Sequence, residues 1–148
     1  MLQFLWKIKS AVLSLFNSRT VGARALVITD NQILLVKHSY VPKWHTIGGG
    51  IDKGETPMEA VQRELWEEAG IQCISPPQLF GVYHNNFEKR DDYVVLYIVE
   101  QFTQVSVESP EILEARWFAF HDLPEEISPA TQRRIDEYLG ARQRQERW

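Results

Sequence analysis

Residues 49–71 of this chain read GGIDKGETPMEAVQRELWEEAGI, a glycine-rich loop followed by the signals of a helix. Thr56 is a candidate N-cap, Pro57 suits the first helical position, and Glu59 completes a capping box. Gly70 suits the position just past the end of a helix. The segment therefore predicts a loop and then a helix that begins at Pro57 and ends just before Gly70.

Three carboxylates crowd the second half of this predicted helix. Glu64, Glu67 and Glu68 are spaced so that their side chains share one face, where like charges destabilise a helix. The helix dipole disfavours Glu67 and Glu68 in the last turn by about 0.3–1 kcal/mol each. Local rules broken without a local gain often mark a functional site. A divalent cation would remove the penalty, because carboxylate oxygens suit Mg²⁺. The alternative is a solvated acidic helix face.

The residues around these carboxylates complete a longer pattern. The pattern is G-x5-E-x7-R-E-U-x-E-E-x-G-U, where U is a bulky aliphatic residue, and Leu65 and Ile71 fill both U positions. Its fixed positions are Gly49, Glu55, Arg63, Glu64, Glu67, Glu68 and Gly70. At background residue frequencies, the chance of a full match in a chain this long is on the order of 10⁻⁷. The segment resembles the Nudix box, and the resemblance extends over roughly residues 21–139.

The resemblance implies a fold and an activity. The fold is an α/β/α sandwich with a mixed β-sheet between helices. The activity is that of a Nudix hydrolase, which splits a phosphoanhydride bond in a nucleoside diphosphate linked to another moiety and uses Mg²⁺, with Mn²⁺ as a substitute. The alternative is a non-catalytic Nudix-like domain that senses a nucleotide. Such a domain would be expected to lose box carboxylates, and none is lost here.

The resemblance also assigns roles to individual residues. The expected metal ligands are Glu64, Glu67, Glu68 and the backbone carbonyl of Gly48. The expected catalytic set is Arg63, Glu64, Glu67 and Glu68, with Arg63 pairing to Glu59 or Glu67. Gly49, Glu55 and Gly70 support the motif, and Glu55 braces the loop. Ile47 stands where many members have proline, which leaves the rigidity of this loop in question.

The general base is open at this point. Glu64 or Glu67 is the first candidate to accept a proton from the attacking water. The family also places this base on loops outside the box, so Glu108, Glu111 and Glu114 remain alternatives. Each of those three is otherwise a surface carboxylate.

The substrate-binding residues are unknown, and the sequence offers only candidates. Trp44, Tyr83 and Phe87 are aromatic residues that suit stacking on a base, with packing as the alternative for each. Polar candidates for contact with phosphate or sugar are His45, His84, Asn85, Asn86 and Arg90. Nucleoside triphosphates, dinucleoside polyphosphates, sugar nucleotides and capped RNA ends all remain open as substrates.

The sequence around the box predicts a mixed sheet. Apolar runs predict strands over residues 21–29, 32–38, 45–47, 79–84, 93–102 and 115–118. The predicted loops and helices include a polar loop over residues 85–92 and a final helix from about Pro129 to the C-terminus. Strands on both sides of one helix, with a second helix at the end, indicate a sheet packed between helices.

Residues 1–20 form a separate element before the predicted Nudix hydrolase domain of residues 21–148. Their pattern predicts an amphipathic helix whose apolar stripe is Leu2, Leu5, Ile8, Val12 and Leu15. We expect this stripe to dock on the domain or on a second subunit, which would make a homo-oligomer, and to take no part in chemistry. Contact with a membrane surface is the alternative.

The composition of the chain bears on which partners it binds and on its cellular compartment. The net charge is −4, which gives no general attraction to nucleic acid. Arginines on the predicted final helix would suit an RNA end, or would form a solvated face; they are Arg133, Arg134, Arg142, Arg144 and Arg147. Cys73 is the single cysteine, which excludes an internal disulfide and favours the cytoplasm. We expect no signal peptide and no membrane-spanning segment.

Overall fold

The computed structural model describes residues 1–15 and 19–148, which form three helices and nine strands. In chain order these are α1 (Leu2–Leu15), β1 (Thr20–Thr29), β2 (Gln32–His38), β3 (Val41–His45), β4 (Ile47–Gly50), α2 (Pro57–Ala69), β5 (Ile71–Cys73), β6 (Gln78–Phe87), β7 (Arg90–Val99), β8 (Phe102–Gln104), β9 (Ile112–Ala119) and α3 (Pro129–Tyr138). None of these helices is both long and apolar enough to cross a membrane.

The main sheet is mixed, as the sequence predicts. Its strands run in the order β3-β2-β1-β7-β6, and β4 and β9 extend it by pairing with β1 and β2. The β1–β7 pair is parallel, and the other pairs are antiparallel. The short strands β5 and β8 form a separate antiparallel pair. This architecture confirms the mixed α/β fold.

The central strand β1 is buried on both faces and therefore divides the core in two. Its small side chains Ala23 and Ala25 belong to the part of the core that contains Leu65 of α2. Its larger Leu26 packs on the opposite face, together with Ile135 of α3. Residues that alternate along a strand point to opposite faces of the sheet. The sheet is consequently covered by α2 on one face and by α3 on the other.

The predicted polar loop over residues 85–92 is wrong. Strands β6 and β7 continue through it and are joined by a two-residue turn at Glu88 and Lys89, with φ of 50° and 63°. Phe87 pairs directly with Arg90 across this turn. Such turns need left-handed backbone at both central positions, which Asn-Gly usually signals. Glu-Lys gives no such signal, so the hairpin was not visible in the sequence.

The predicted final helix begins correctly but extends too far. Ser128 is its N-cap, and its hydroxyl accepts a hydrogen bond from the backbone N–H of Thr131. The helix ends at Tyr138, and Gly140 turns the chain in a left-handed conformation with φ of 74°. The chain then runs back along β6, where the backbone N–H of Trp148 donates to the carbonyl of His84. Glycine just past a helix end is a known stop signal.

Two predicted strands divide differently from the expectation. The predicted strand at residues 45–47 is two strands, β3 and β4, which meet at Thr46. The predicted strand at residues 93–102 ends at Val99, and Phe102 begins β8 in the smaller sheet. Both divisions depend on which distant strand each segment pairs with, and a local apolar run does not carry that information.

Helix α1 packs on the domain through a different face from the predicted one. The predicted stripe faces outward at Leu5, Ile8, Val12 and Leu15, while Leu2 lies outside the side chains that the structure describes. The contact runs instead through Trp6, whose ring stacks with Tyr40, and through buried Ser10. Ser10 Oγ accepts a hydrogen bond of 3.1 Å from Arg90. A buried arginine needs such an acceptor, so the polar Ser10 is turned inward.

Candidate active site

Helix α2 has the bounds that the sequence predicts, because both of its ends are capped. Thr56 Oγ1 accepts from the Glu59 N–H at 3.1 Å, and the Glu59 carboxylate accepts from the Thr56 N–H at 2.8 Å. Gly70 ends the helix with φ of 63°. A Cβ on Gly70 would lie 2.0 Å from the carbonyl oxygen of Val105, so no larger residue fits there. These caps fix where the box carboxylates lie along the helix.

Arg63 joins the glycine-rich loop to the helix. Its guanidinium donates to both carboxylate oxygens of Glu55, at 3.0 and 2.9 Å, and to the carbonyl oxygen of Gly50 at 3.1 Å. A further hydrogen bond of 2.9 Å goes to Glu64 Oε1. The hydrogen bonds from Arg63 hold the pKa of the Glu55 carboxyl below its usual range. Glu55 therefore joins Arg63 of the helix to the loop, where its carboxylate also accepts from the Asp52 N–H.

The predicted partners of Arg63 are only partly correct. Its contact with Glu67, at 3.5 Å, is long for a hydrogen bond. No bond from Arg63 to Glu59 is found in the described residues, because the Glu59 carboxylate is occupied by the Thr56 N–H. The principal partner is instead Glu55, eight residues earlier in the chain.

The three box carboxylates lie in different environments. Glu64 and Glu68 are buried, whereas the Glu67 side chain is 54% exposed. One oxygen of Glu68, Oε2, is buried without a hydrogen-bond partner among the described residues. Burial, and then the adjacent Glu64 carboxyl, raise the pKa of Glu68 well above its usual range. An unpaired buried oxygen beside a second carboxylate is costly unless a cation or proton compensates for it.

The glycine at position 49 makes room for Glu64. A Cβ on Gly49 would lie 2.5 Å from Glu64 Oε1, which is far inside van der Waals contact. The preceding Gly48 has φ of 149°, and a Cβ there would lie 2.3 Å from the carbonyl oxygen of Ala23. By contrast, a Cβ on Gly50 would meet nothing within 4 Å. The three consecutive glycines therefore have three different steric requirements.

A cleft of about 340 Å³ opens over the box carboxylates. Glu64, Glu67 and Glu68 line one side, and Glu108 and Glu111 line the other, from the segment between β8 and β9. The third loop carboxylate considered from the sequence, Glu114, lies on β9 and pairs with Arg116. Sequence reasoning therefore identified five carboxylates that the fold brings to one cleft.

Within residues 1–15 and 19–148, no three carboxylate, imidazole or thiol groups are gathered tightly enough to form a ready-made ion site. Arg63 donates to Glu64 Oε1 at 2.9 Å, and its guanidinium lies 3.5 Å from Glu67 Oε2. Glu67 already lines the cleft, and rotation about its side-chain bonds changes where its carboxylate lies without moving the helix.

A second pocket, of about 370 Å³, adjoins the glycine run on the other side. Gly48 and Gly49 line it, and its remaining lining includes Trp6, Arg24, His38, Tyr40, His45, Phe87, Arg90 and Asp92. Most of these residues were missed from the sequence. Arg24 gave one usable signal, since it is the single charged residue in the apolar strand β1.

The two histidines of this pocket are held neutral. Burial, and then the nearby Arg24 guanidinium, lower the pKa of both His38 and His45 to about 4. An adjoining groove of about 270 Å³ shares Arg24 and His45 with the pocket and is bounded by Trp148. The pocket therefore presents neutral imidazoles and aromatic rings beside a few charged groups.

The sequence candidates for substrate binding separate into two groups. Phe87 and Arg90 line the pocket, together with His45. Trp44 is buried against Phe118, and Tyr83 is buried with its hydroxyl donating to Glu137. The packing alternative therefore describes Trp44 and Tyr83.

The remaining polar candidates lie around the same hairpin. His84 pairs with Asp91 and Arg147, and Asn85 lines the adjoining groove. Asn86 is exposed on β6.

The C-terminal arginines do not form one basic helix face. Arg134 is 0% exposed and pairs with Glu137 at 3.0 Å inside the domain. Arg133 donates to the Trp148 carbonyl and Arg144 to the Phe80 carbonyl. Arg142, Arg144 and Arg147 follow the end of α3 and lie on the returning tail. The predicted basic helix was wrong because it required α3 to continue.

The amino-acid sequence of the chain is similar to those of known proteins. A profile of the NUDIX domain matches residues 18–139. The chain is 30% identical over 125 residues to a putative 8-oxo-dGTP diphosphatase of Bacillus subtilis (strain 168), covering 84% of this chain and 83% of that protein. It is 50% identical over 46 residues to an RNA pyrophosphohydrolase of Psychrobacter cryohalolentis, covering 31% of this chain and 27% of that protein.

Solved structures share the fold. The chain superimposes on a MutT NUDIX hydrolase from Burkholderia pseudomallei with a TM-score of 0.71 and 28% identity. That alignment covers 80% of this chain and 97% of the other.

Proposed function

The chain belongs to the NUDIX family of hydrolases, and on that basis we propose that Glu64, Glu67, Glu68 and the Gly48 carbonyl bind the divalent metal of its reaction. The reaction we propose is hydrolysis of a phosphoanhydride bond in a nucleoside diphosphate linked to another moiety. The observation that carries this proposal is the buried, unpartnered Glu68 Oε2 beside Glu64.

The residues fit a hard divalent cation. Mg²⁺ takes oxygen ligands from one or two carboxylates and fills the rest of its shell with water and substrate phosphate. The cleft offers five carboxylates and no competing thiol or imidazole among its lining residues. We therefore propose Mg²⁺, with Mn²⁺ as a substitute. When bound, the metal neutralises the phosphates and lowers the pKa of the attacking water.

The protein's own side chains hold the proposed metal ligands in place and accept a proton from the attacking water. Arg63 fixes Glu64 and, through Glu55, the loop that carries Gly48 and Gly49. Glu67 is a strong candidate for the general base, because it lies in the cleft, is exposed and is only weakly held by Arg63. Glu64 remains an alternative, as do the facing Glu108 and Glu111.

The substrate we favour is a small nucleotide. The second pocket is lined by aromatic and polar side chains and adjoins the carboxylates at Gly49. The relative matched over most of its length is named as acting on a nucleoside triphosphate derivative, and the RNA pyrophosphohydrolase match covers 46 residues. The scattered C-terminal arginines give an RNA end no continuous basic surface. Nucleotide sensing without catalysis is disfavoured by the complete box.

We also propose a reducing cytoplasm as the compartment, since Cys73 has no second cysteine to pair with. A homo-oligomer remains a proposal that rests on the outward apolar stripe of α1.

A panel assay tests the proposed function. The protein is incubated with Mg²⁺ and a set of nucleoside triphosphates, sugar nucleotides, dinucleoside polyphosphates and capped RNA, and products are identified by mass. We expect turnover of at least one small nucleotide, its loss on chelation, and its return with Mg²⁺ or Mn²⁺. Metal should also raise the melting temperature, because it binds the folded state. Full turnover in excess EDTA would contradict the metal assignment.

A further inference from the structure

Helix α1 contributes a side chain to the pocket beside the glycine run. Trp6 lines this pocket, of about 370 Å³, together with Gly48 and Gly49. The NUDIX match begins at residue 18, whereas α1 spans Leu2–Leu15. This wall of the pocket is therefore an addition to the part of the chain that matches the family.

Trp6 completes an aromatic cluster. Its ring centroid lies 5.9 Å from that of Tyr40, with the planes 24° apart, and 6.0 Å from that of Phe87, with the planes 58° apart. These separations are typical of aromatic rings in contact. The three rings come from α1, from the turn between β2 and β3, and from the end of β6, so only the folded domain brings them together.

A hydrogen bond anchors the helix at this position. Ser10 lies one turn after Trp6 on the same face of α1, and its Oγ accepts from Arg90 at 3.1 Å. The Arg90 guanidinium also lies over the Phe87 ring, 5.5 Å from its centroid. Both Ser10 and Arg90 are buried, which shields the bond from water. Arg90 therefore contacts both the aromatic cluster, through Phe87, and the serine that anchors α1.

The pocket adjoins the carboxylate cleft at Gly49. Gly49 lines the pocket, and its Cα faces Glu64 Oε1 closely enough to exclude a Cβ. Tyr40, from the turn between β2 and β3, also lines the pocket. A substrate with its phosphates at the carboxylates therefore has its remaining part within reach of the aromatic cluster.

We propose that Trp6 is a substrate-binding residue on which the nucleobase of the substrate stacks. Through Trp6, α1 takes part in binding the substrate. This inference rests on the proposed nucleotide substrate. It replaces the expectation that α1 has no part in the reaction. Stacking on an aromatic side chain accepts any base, and its loss costs ~10-fold or more in affinity.

Binding by the full chain tests the proposal. The probes are the four ribonucleoside monophosphates and ribose 5-phosphate, measured by calorimetry with Mg²⁺. Trp6→Leu keeps apolar bulk but removes the aromatic face, and it should weaken the tightest nucleoside monophosphate ~10-fold. Ribose 5-phosphate, which has no base, should bind within two-fold of the wild type. Trp6→Phe should restore most of the affinity. Phe4→Leu is the matched control, since Phe4 is 66% exposed on the same helix.

The outcomes separate this inference from the proposed function. Unchanged nucleotide affinity in Trp6→Leu would overturn the stacking role while leaving the hydrolase assignment intact. Equal losses for the nucleotide and for ribose 5-phosphate would also overturn it, because they would indicate a displaced helix. A wild type that turns over panel substrates but binds no nucleoside monophosphate would do the same. A wild type with no turnover in the panel would refute the proposed function and the stacking with it.

Discussion

Replacing Gly49 by alanine should disable the site without unfolding the protein. Gly49 does not have a positive φ, so alanine suits its backbone. The new Cβ would lie 2.5 Å from Glu64 Oε1 and 2.9 Å from its Cδ. Ordinary contact between such atoms begins near ~3.5 Å, so the Glu64 carboxylate must move by about 1 Å. Because Glu64 is also held by Arg63, this shift disturbs the whole network.

The size of the effect follows from that displacement. A misplacement of about 1 Å in a catalytic constellation costs ~10²-fold in rate, which corresponds to about 2.7 kcal/mol. The cost in stability should stay below about 1 kcal/mol, because the displaced atom is the end of a flexible side chain. We therefore expect kcat to fall ~100-fold while the melting temperature changes by only a few degrees.

The assay compares two neighbouring variants. Gly50→Ala introduces the same methyl group where nothing lies within 4 Å, and it keeps the carbonyl that Arg63 contacts. Turnover and thermal melting are measured for both variants with the best substrate from the panel, at saturating Mg²⁺. Gly50→Ala should retain turnover within a few-fold. Wild-type turnover in Gly49→Ala would refute the reasoning, as would equal losses in the two variants.

Three further predictions concern charge. Glu67→Gln and Glu68→Gln should each lower turnover at least ~10²-fold, because each removes a charge that holds the metal. The melting temperature without metal should stay the same or rise, because a charge that the helix dipole disfavours is gone. Normal turnover with a lower melting temperature would indicate a structural helix face instead. The neutral His38 and His45 have pKa values of about 4 in the folded protein, below the usual 6.5. Their contribution to stability is therefore complete above pH 6.5 and is lost as the pH falls towards 4, by about 2 kcal/mol each after allowance for solvent screening. Melting at pH 7 and pH 4.5 should show this loss, and a double His→Gln variant should show less of it. Glu137→Gln should lower the free energy of unfolding by about 3 kcal/mol, measured in urea, because a buried arginine loses its carboxylate; an unchanged midpoint would contradict this.

Local signals predicted the box well, and long-range pairing limited the rest. The bounds of α2 followed from the cap at Thr56 and the glycine at Gly70, because capping depends on residues three or four apart. The choice of Glu55 by Arg63 did not follow, since it depends on how the loop folds back over the helix. A helical spacing rule considers only partners one turn away.

The pocket was the least predictable part of the site. Trp6, Arg24 and Tyr40 come from three elements, and of these only Arg24, a charged residue in an apolar strand, stands out in the sequence. They converge because β1 pairs with both β2 and β7, and because Ser10 fixes α1 against the hairpin. The spacing of residues along the sequence does not show which distant strands will pair. The candidates that were found, His45, Phe87 and Arg90, were selected for their chemical type.

The grooves beside the active site are built from both ends of the described chain, which has a consequence for synthesis on the ribosome. Trp6 lines the pocket, and Trp148 bounds the groove that adjoins it. The strands from β1 to β9 are all translated by residue 119, so the sheet and the box helix have their sequences available earlier. At ~5–20 residues per second, residues 120–148 follow within a few seconds. Until α3 has been made, the face of the sheet that Ile135 covers is open to water, so the sheet and the groove bounded by Trp148 are completed together.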